Sequence, residues 1–565
     1  MDKKVILAIA LSMVVWVGWY LVFKPAQPVV DKHKTPITEK TQDEKKESAP
    51  AVKDSGPQKQ TSGKLVIHNS RVKEEKKIHH ATDLYKIRFS NKGASIDSFI
   101  YKYKGRDIEL IVNRDTITKY NFQAKGSFNF NPYFSEEEFQ NGSQLDEALW
   151  DHEIKDNQIT FFTTIELTKG NPLRIEKRFV FQKDKPFFQL DYKFINMGKA
   201  DVQIPSNHII LSPSDFLGPD VDFNNSYNHL SSVYFLDGDF DKGSKGGGLF
   251  SKSTDITKKP GSAQWAGIMS RYFLLILVPD KFTGSEIIFD SKNHSGFRCG
   301  IVIPSKAIKS KEELTKTVKI YAGEKDKEKL LLVEKTLIPA ADISRWIEPI
   351  RDFLIWSLLK INLLLGNFGW SLVLFSLITK IVLLPLTMKS TESMKKLQAL
   401  NPKISEIREK YKDKPEIMNK KIMELYKKEK VNPASGCLPL LLQMPFFFAL
   451  YSALNNSIDL WHAPFILWMK DLSMPDTVLT ISDFNINILP ILMTATTFLQ
   501  QKMTPGADSS SQQQMFMKLM PLIFIVIFWN MPSGLIIYWI MQNILQILHQ
   551  LYINKRAKTG EPAQG

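Results

Sequence analysis

Hydrophobic and polar positions fall into four successive patterns along this chain. An almost unbroken apolar run from Val5 to Phe23 follows Asp2, Lys3 and Lys4 and is long enough to cross the hydrocarbon of a bilayer. From Pro25 to about Ser62 the residues are mainly Lys, Glu, Gln, Ser, Thr and Pro with almost no aromatic side chains, the composition of a disordered tether. From about Lys64 to Ala340 short segments place apolar residues at every second position, as in Tyr85, Ile87, Phe89; Ile159, Phe161, Thr163, Ile165; and Phe188, Leu190, Tyr192, Phe194. Gly, Asn, Asp and Pro separate these runs, which predicts an antiparallel β-sandwich with one face of each sheet buried.

Around Asp342 to Ile361 the period becomes helical. Trp346, Ile347, Ile350, Phe353, Leu354 and Leu358 share a face opposite Arg345, Glu348, Arg351 and Asp352. Because this segment runs into an apolar span and carries Trp346 and Trp356, it is predicted to lie in the membrane interface. Five further apolar runs follow, at roughly Phe368 to Met388, Cys437 to Leu454, Ile488 to Gln500, Phe516 to Trp529 and Gly534 to Leu551. Pro385, Pro439, Pro445, Pro490 and Pro521 would disrupt soluble helices, but neighbouring helices in a bundle satisfy the freed backbone groups. The expected fold is a polytopic α-helical membrane protein of six transmembrane helices carrying a large extracytoplasmic antiparallel β-sandwich. Its parts are an anchor (1–24), a linker (25–62), the β-domain (63–340), the interfacial helix (341–361), a five-helix core (362–554) with a cytoplasmic helical hairpin (389–435), and a tail (555–565).

Charge fixes the orientation. The formal net charge of +15 points to an anionic partner, whether nucleic acid, ribosome or membrane surface. Lys and Arg are in excess from Lys389 to Ser435 and after Ile553, whereas the loop Ser457 to Asn487 sets Lys470 against Asp459, Asp471, Asp476 and Asp483. That asymmetry obeys the positive-inside rule with both termini cytoplasmic. The first run is followed by Lys24-Pro25 rather than a small-x-small cleavage site, so it reads as an uncleaved anchor. The two cysteines, Cys299 and Cys437, are assigned to opposite sides of the membrane and give no disulfide framework.

Lys380 is the most informative single residue. It sits inside the second span, nine residues before Lys389 and therefore about 13 Å deeper along a helix. An ionisable group at that depth marks function unless it snorkels to the interface. Ser376 lies one turn away, and other spans supply Gln443, Thr494, Thr497, Gln500, Tyr538, Gln542 and Asn543. One cation among uncharged polar groups, with no carboxylate in the spans, describes a wet cavity better than a proton relay. Each Thr or Gln taken alone reads as an ordinary interhelical hydrogen bond. The spans are also rich in methionine, including Met444, which suits a surface for varied apolar partners and equally suits core packing.

In the segment 389–435 the stripes Leu397, Leu400, Ile404, Ile407 and Met418, Ile422, Leu425 predict a helical hairpin broken at Lys412-Asp413-Lys414-Pro415. Its outer faces carry Lys395, Lys396, Arg408, Lys420, Lys421 and Lys427, which suit ribosomal RNA or anionic phospholipid headgroups. A solvated helix face accounts for the same charges equally well. Enzyme motifs are scarce: Gly246-Gly247-Gly248-Leu249-Phe250-Ser251-Lys252-Ser253 fails the spacing of a phosphate loop, and His79-His80 has no metal-ligand spacing around it. No catalytic residue, metal or cofactor is expected.

Four blocks in order resemble the YidC/Oxa/Alb membrane insertase family: GNFGWSLVLFSLITKIVLLPLT from Gly366, YKKEKVNPASGCLPLLLQMPFFFALY from Tyr426, ILPILMTATTFLQQKM from Ile488 and MPSGLIIYWIMQN from Met531. The block GSAQWAGIMSRYFLLILVP from Gly261 and Tyr321-Ala322-Gly323 extend the resemblance, to the Gram-negative branch, over nearly the whole chain. It implies a non-enzymatic insertase and chaperone whose groove opens to cytoplasm and lipid, and a β-domain of supersandwich type similar to galactose mutarotases. Its implied partners are nascent membrane proteins, the Sec translocon and the ribosome. Groove residues carried over are Ser376, Lys380, Gln443, Tyr538 and Trp539. The family usually has arginine where Lys380 stands, so the cation is kept and the planar five-donor head is lost. A membrane-anchored carbohydrate-active enzyme and a small-molecule transporter are the alternatives. The first needs a convergent carboxylate and histidine pair in a cleft, and the second favours inverted repeats.

Overall fold

The computed structural model describes the chain from Leu65 to Thr559, apart from residues 69–71, 112–126, 169, 184, 205–206, 215–216, 219–229, 244–255, 291–297, 306, 342–346, 430, 432–437, 482–483 and 504–510. The N-terminal anchor and linker, Trp346, the glycine-rich loop 246–253 and Cys437 lie outside the described residues.

Period-two alternation becomes two facing antiparallel sheets. The larger has fourteen strands, and its centre runs through Gln158–Thr168, Asn171–Phe181, Phe187–Asn196, Glu313–Glu324, Phe273–Asp280 and Ile256–Met269. The smaller has four: Lys77–Ala81, Tyr85–Ser90, Ser95–Tyr103 and Arg106–Glu109. Register sets Leu190 opposite Phe179 and Phe188 opposite Phe181, so each strand's apolar set points to one side. Phe89 of the small sheet meets Phe179 and Phe161 of the large one at ring distances of 5.0 and 5.9 Å, and these aromatics fill a common core. Each buried Phe contributes about 2 kcal/mol from transfer out of water.

One charge lies inside that core. Lys177, on Asn171–Phe181, is wholly buried and donates to Ala94 O, Asn129 O and Asn131 Oδ1, each at 2.7 Å, with Gly93 O at 3.2 Å. Burial holds its pKa well below the usual lysine range. Cys299 is also buried, and its thiol is pushed up to about 12.

Eight helices of the C-terminal part carry the labels used below. They are α1 (Glu348–Leu365), α2 (Phe368–Ala399), α3 (Asn401–Lys410), α4 (Pro415–Lys428), α5 (Leu438–Asn456), α6 (Leu489–Met503), α7 (Ser511–Phe528) and α8 (Ser533–Thr559). The turn from α1 to α2 follows from its sequence. Gly366 adopts φ 65° and its N–H donates to Asn362 O, which ends α1. Asn367 Oδ1 then accepts from Trp370 N and starts α2. Gly369 lies so close to Phe465 that any side chain there would enter the ring.

Among the described residues α2 alone is long and apolar enough by itself to cross a membrane. The described part of α6, 15 residues, is about 22 Å long. Pro439 and Pro490 fall in the first turns of α5 and α6, where a missing N–H leaves no gap, while Pro385, Pro445 and Pro521 are internal. The bundle core joins Leu354, Phe375, Leu450, Met493 and Ile536 from five helices. Away from it α3 and α4 form a hairpin whose Ile404, Ile422 and Leu425 close on Leu397 at the end of α2.

The two parts meet at the loop after α5. Asp459 accepts from Tyr103 and Lys104 of the β-domain at 2.8 and 2.9 Å, and Ile458 enters the β-domain core. This loop therefore lies on the same side of the bundle as the β-domain.

Candidate functional site

Two helix faces build the site. On α2, Ser376, Thr379 and Lys380 are three and four residues apart and share a face. On α8, Tyr538, Gln542, Gln546 and His549 recur at the same interval. Their polar atoms stitch the helices together. Gln542 Nε2 donates to Ser376 O at 3.1 Å and Thr379 Oγ1 at 3.2 Å. Asn543 Nδ2 donates to Thr496 and Thr497 Oγ1 of α6 at 3.1 and 2.9 Å. Ser376 is fully buried and returns its hydroxyl to Leu372 O at 2.7 Å. That hydrogen bond keeps the hydroxyl on its own helix.

Lys380 is half-buried, and its ammonium donates to Gln546 Oε1 at 2.6 Å. No carboxylate among the described residues pairs with it. Gln546 is the site residue that sequence reading missed. The signal was present, since it continues the four-residue spacing of Tyr538 and Gln542, but only the packing of α8 on α2 shows that it reaches the cation.

The other expected groove residues divide. Tyr538 is buried with Thr379 and Gln443 flanking its hydroxyl, yet it forms no hydrogen bond. Gln443 and Met444 are half-buried on α5. Trp539 points elsewhere: its ring sits among Phe447, Phe524 and Phe528 at 5.4 to 5.7 Å, inside the bundle core. Thr379 also borders a cavity of about 360 Å³ between α1, α2 and α5, walled by Phe353, Trp356, Phe375, Val382 and Phe446. A polar seam thus abuts an apolar slot.

The hairpin cations are spread out. Lys396, Lys420, Lys421 and Lys427 are exposed, while Lys395 and Arg408 are half-buried. Lys396 pairs with Glu392 and Lys421 with Glu424, each at 2.8 Å, so both are partly compensated. Among the described residues no three His, Cys, Asp or Glu side chains come together as a metal site.

A helical bundle with a polar seam around Lys380, bearing a large antiparallel β-domain, is the architecture these observations define. Residues 360–560 match the family described as 60Kd inner membrane protein, and residues 77–357 match the YidC periplasmic domain. The membrane protein insertase YidC of Leptospira interrogans serogroup Icterohaemorrhagiae serovar Lai (strain 56601) is 31% identical over 644 residues, spanning 99% of this chain and 98% of that protein. The YidC of Syntrophus aciditrophicus (strain SB) is 30% identical over 571 residues, 99% of this chain and 100% of its own length. A crystal structure of an active YidC insertase with its first transmembrane domain resolved is 17% identical, covers 86% of this chain and 94% of that one, and gives a TM-score of 0.35. The chain belongs to the YidC family of membrane protein insertases, inner-membrane proteins with a periplasmic domain.

Proposed function

We propose that this protein inserts and folds nascent membrane proteins by receiving the polar flank of an arriving segment in the seam around Lys380. The observation that carries this reading is the partner of that lysine: a neutral amide, Gln546, which leaves the positive charge uncompensated. Such a cation attracts acidic residues of a substrate, and a polar seam partway through the bundle shortens the hydrocarbon that they must cross. Transfer of about 20 apolar residues into lipid supplies the driving force without nucleotide.

The finer organisation belongs to the same reading. The groove is formed around Lys380, Gln443, Met444 and Tyr538, with Ser376 buried in its wall and Trp539 packed in the bundle core behind it, and it opens to cytoplasm and lipid. The chain has six spans with both termini cytoplasmic, and the β-domain is a supersandwich. The hairpin lysines and Arg408 receive the ribosome or anionic phospholipid, and the protein acts alone or with the Sec translocon. A carbohydrate-active enzyme or a transporter is not favoured, because the family is one of insertases.

Insertion of a short single-span reporter into vesicles containing this protein alone tests the proposal. Lys380→Arg should insert like the wild type, and Lys380→Gln and Lys380→Glu should fail. Equal insertion by all four would reduce Lys380 to a snorkelling lysine.

A further inference from the structure

Between α5 and α6, on the β-domain side, the chain forms a two-stranded antiparallel hairpin, Thr477–Ile481 with Phe484–Asn487. Its two faces differ. Register sets Leu479 opposite Ile486, and Ile481 lies two residues further along, so these three share one face. Thr480 and Asn485 are paired on the other, where Thr480 Oγ1 donates to Asn485 Oδ1 at 2.8 Å. The register shift at Val478 adds a further apolar side chain. Val478, Leu479 and Ile481 are 46, 55 and 54% exposed, and Leu467 of the preceding loop is 81% exposed. A lone hairpin that shows apolar side chains to water has little stability of its own. Something covers this face.

The base of the hairpin says what. Asp476 Oδ2 accepts from the backbone N–H of Ile488 and Leu489 at 2.9 and 2.8 Å, which ties the first strand to the start of α6. Asn487 Nδ2 donates to Trp529 O, and Trp529 Nε1 donates to Asn485 O at 3.0 Å, which ties the second strand to the end of α7. Trp468 Nε1 meets Asp476 as well, at 3.4 Å. The hairpin is therefore held at the ends of α6 and α7, spans in the function proposed above on which this inference rests, and is flanked by two tryptophans, the side chains that collect at the headgroup level. Five residues of strand reach about 16 Å, so the hairpin stays within one leaflet's depth of that anchor. Its strands Thr477–Ile481 and Phe484–Asn487 carry no charge, and Asp483, between them in sequence, is the one charged residue of 477–487. Its free backbone edges exclude the hydrocarbon itself, where unpaired N–H and C=O groups are costly.

We propose that this hairpin lies flat in the headgroup region of the periplasmic leaflet, with Leu479, Ile481 and Ile486 turned toward the acyl chains and Thr480 and Asn485 toward water. Val478 and Leu467 are shallow anchors beside it. The occupant of the apolar face is lipid, and the hairpin sets the height of α6 and α7 in the bilayer.

The test uses the full-length protein in vesicles, with an environment-sensitive fluorophore on Leu479→Cys and, separately, on Thr480→Cys, in a Cys437→Ser background; Cys299 is buried. Unlabelled variants are first checked for reporter insertion, to establish that they fold. At position 479 the expected result is blue-shifted emission, quenched most by lipids spin-labelled near the headgroup, with position 480 less shifted and less quenched. Water-like emission at 479, or shifted emission that no spin-labelled lipid quenches, overturns the proposal; the second result would mean that protein covers the face. Quenching strongest from lipids labelled at the bilayer centre also overturns it.

Discussion

Arg271 of the β-domain places its guanidinium on the carbonyl oxygens of Leu454 and Ser473, at 3.0 and 2.7 Å, and is almost wholly buried there. It also reaches Asn455 O at 3.2 Å and Asn455 Oδ1 at 2.9 Å. Leu454 and Asn455 lie in the last turn of α5, whose free carbonyls and dipole favour a cation. The neighbouring Tyr272 hydroxyl meets Ser473 Oγ at 3.1 Å. Beside the contacts at Asp459 and Ile458, one planar head that serves several acceptors thus fastens the β-domain to the bundle.

Replacing Arg271 with alanine strips Ser473 O of its guanidinium donor and leaves Leu454 O only the longer hydrogen bond from the Tyr272 hydroxyl, at 3.3 Å, at a cost of about 3 kcal/mol. Arg271→Lys should recover less than half of that, since an ammonium does not match the fork. Thermal unfolding of the full-length protein, followed by tryptophan fluorescence, measures both. Lysine as good as arginine would show that charge, not geometry, holds the joint.

The pair Lys380 and Gln546 gives the second expectation. Gln546→Glu sets a carboxylate where the amide accepts now and neutralises the cation before any substrate arrives. Insertion of a reporter with acidic residues in its translocated flank should slow by about tenfold, equivalent to about 1.4 kcal/mol, while a reporter with a neutral flank changes little. Gln546→Leu should leave the acidic preference intact. A uniform loss across reporters in both variants would make Gln546 a packing residue.

Lys177 predicts a pH effect. Its folded pKa lies below its unfolded value, so the unfolded chain binds more protons between the two. Its contribution to stability therefore rises with pH across that window and levels off above the unfolded lysine value. Lys177→Met removes this dependence and also strips donors from Ala94 O, Asn129 O and Asn131 Oδ1, for a loss of about 3 kcal/mol or more. Unfolding midpoints of wild type and variant from neutral to alkaline pH separate the two effects.

The β-domain was legible because period two leaves a direct trace: Phe188, Leu190, Tyr192 and Phe194 are all buried, as their alternation requires. Lys380 stood out in the sequence because a cation in an apolar run contradicts its surroundings, and the structure adds its amide partner, Gln546. Gln546, Arg271 and Asp476 were not, since each takes its meaning from a partner on another element, and spacing along one helix or strand does not say which elements meet. Trp539 shows the converse. It stands next to Tyr538 in sequence, but a helix turns by about 100° per residue, and that step carries its ring from the seam into the aromatic core.

Asp476 carries the last expectation. Its Oδ2 holds the hairpin base through Ile488 N and Leu489 N, whereas its Oδ1 is buried without a partner. Burial raises its pKa above the usual aspartate value, against the hydrogen bonds that lower it. The folded chain therefore holds the proton more tightly, and the contribution of Asp476 falls as pH rises from the unfolded value through the folded one. An asparagine keeps the accepting oxygen and carries no charge. Asp476→Asn should match the wild type in acid, equal or exceed its unfolding midpoint at neutral pH, and keep the hairpin, whereas Asp476→Ala should lose about 1 kcal/mol with the cap. An asparagine variant that is clearly weaker than the wild type at neutral pH would mean that the negative charge at the start of α6, not the shape of its acceptor, holds the hairpin to that helix.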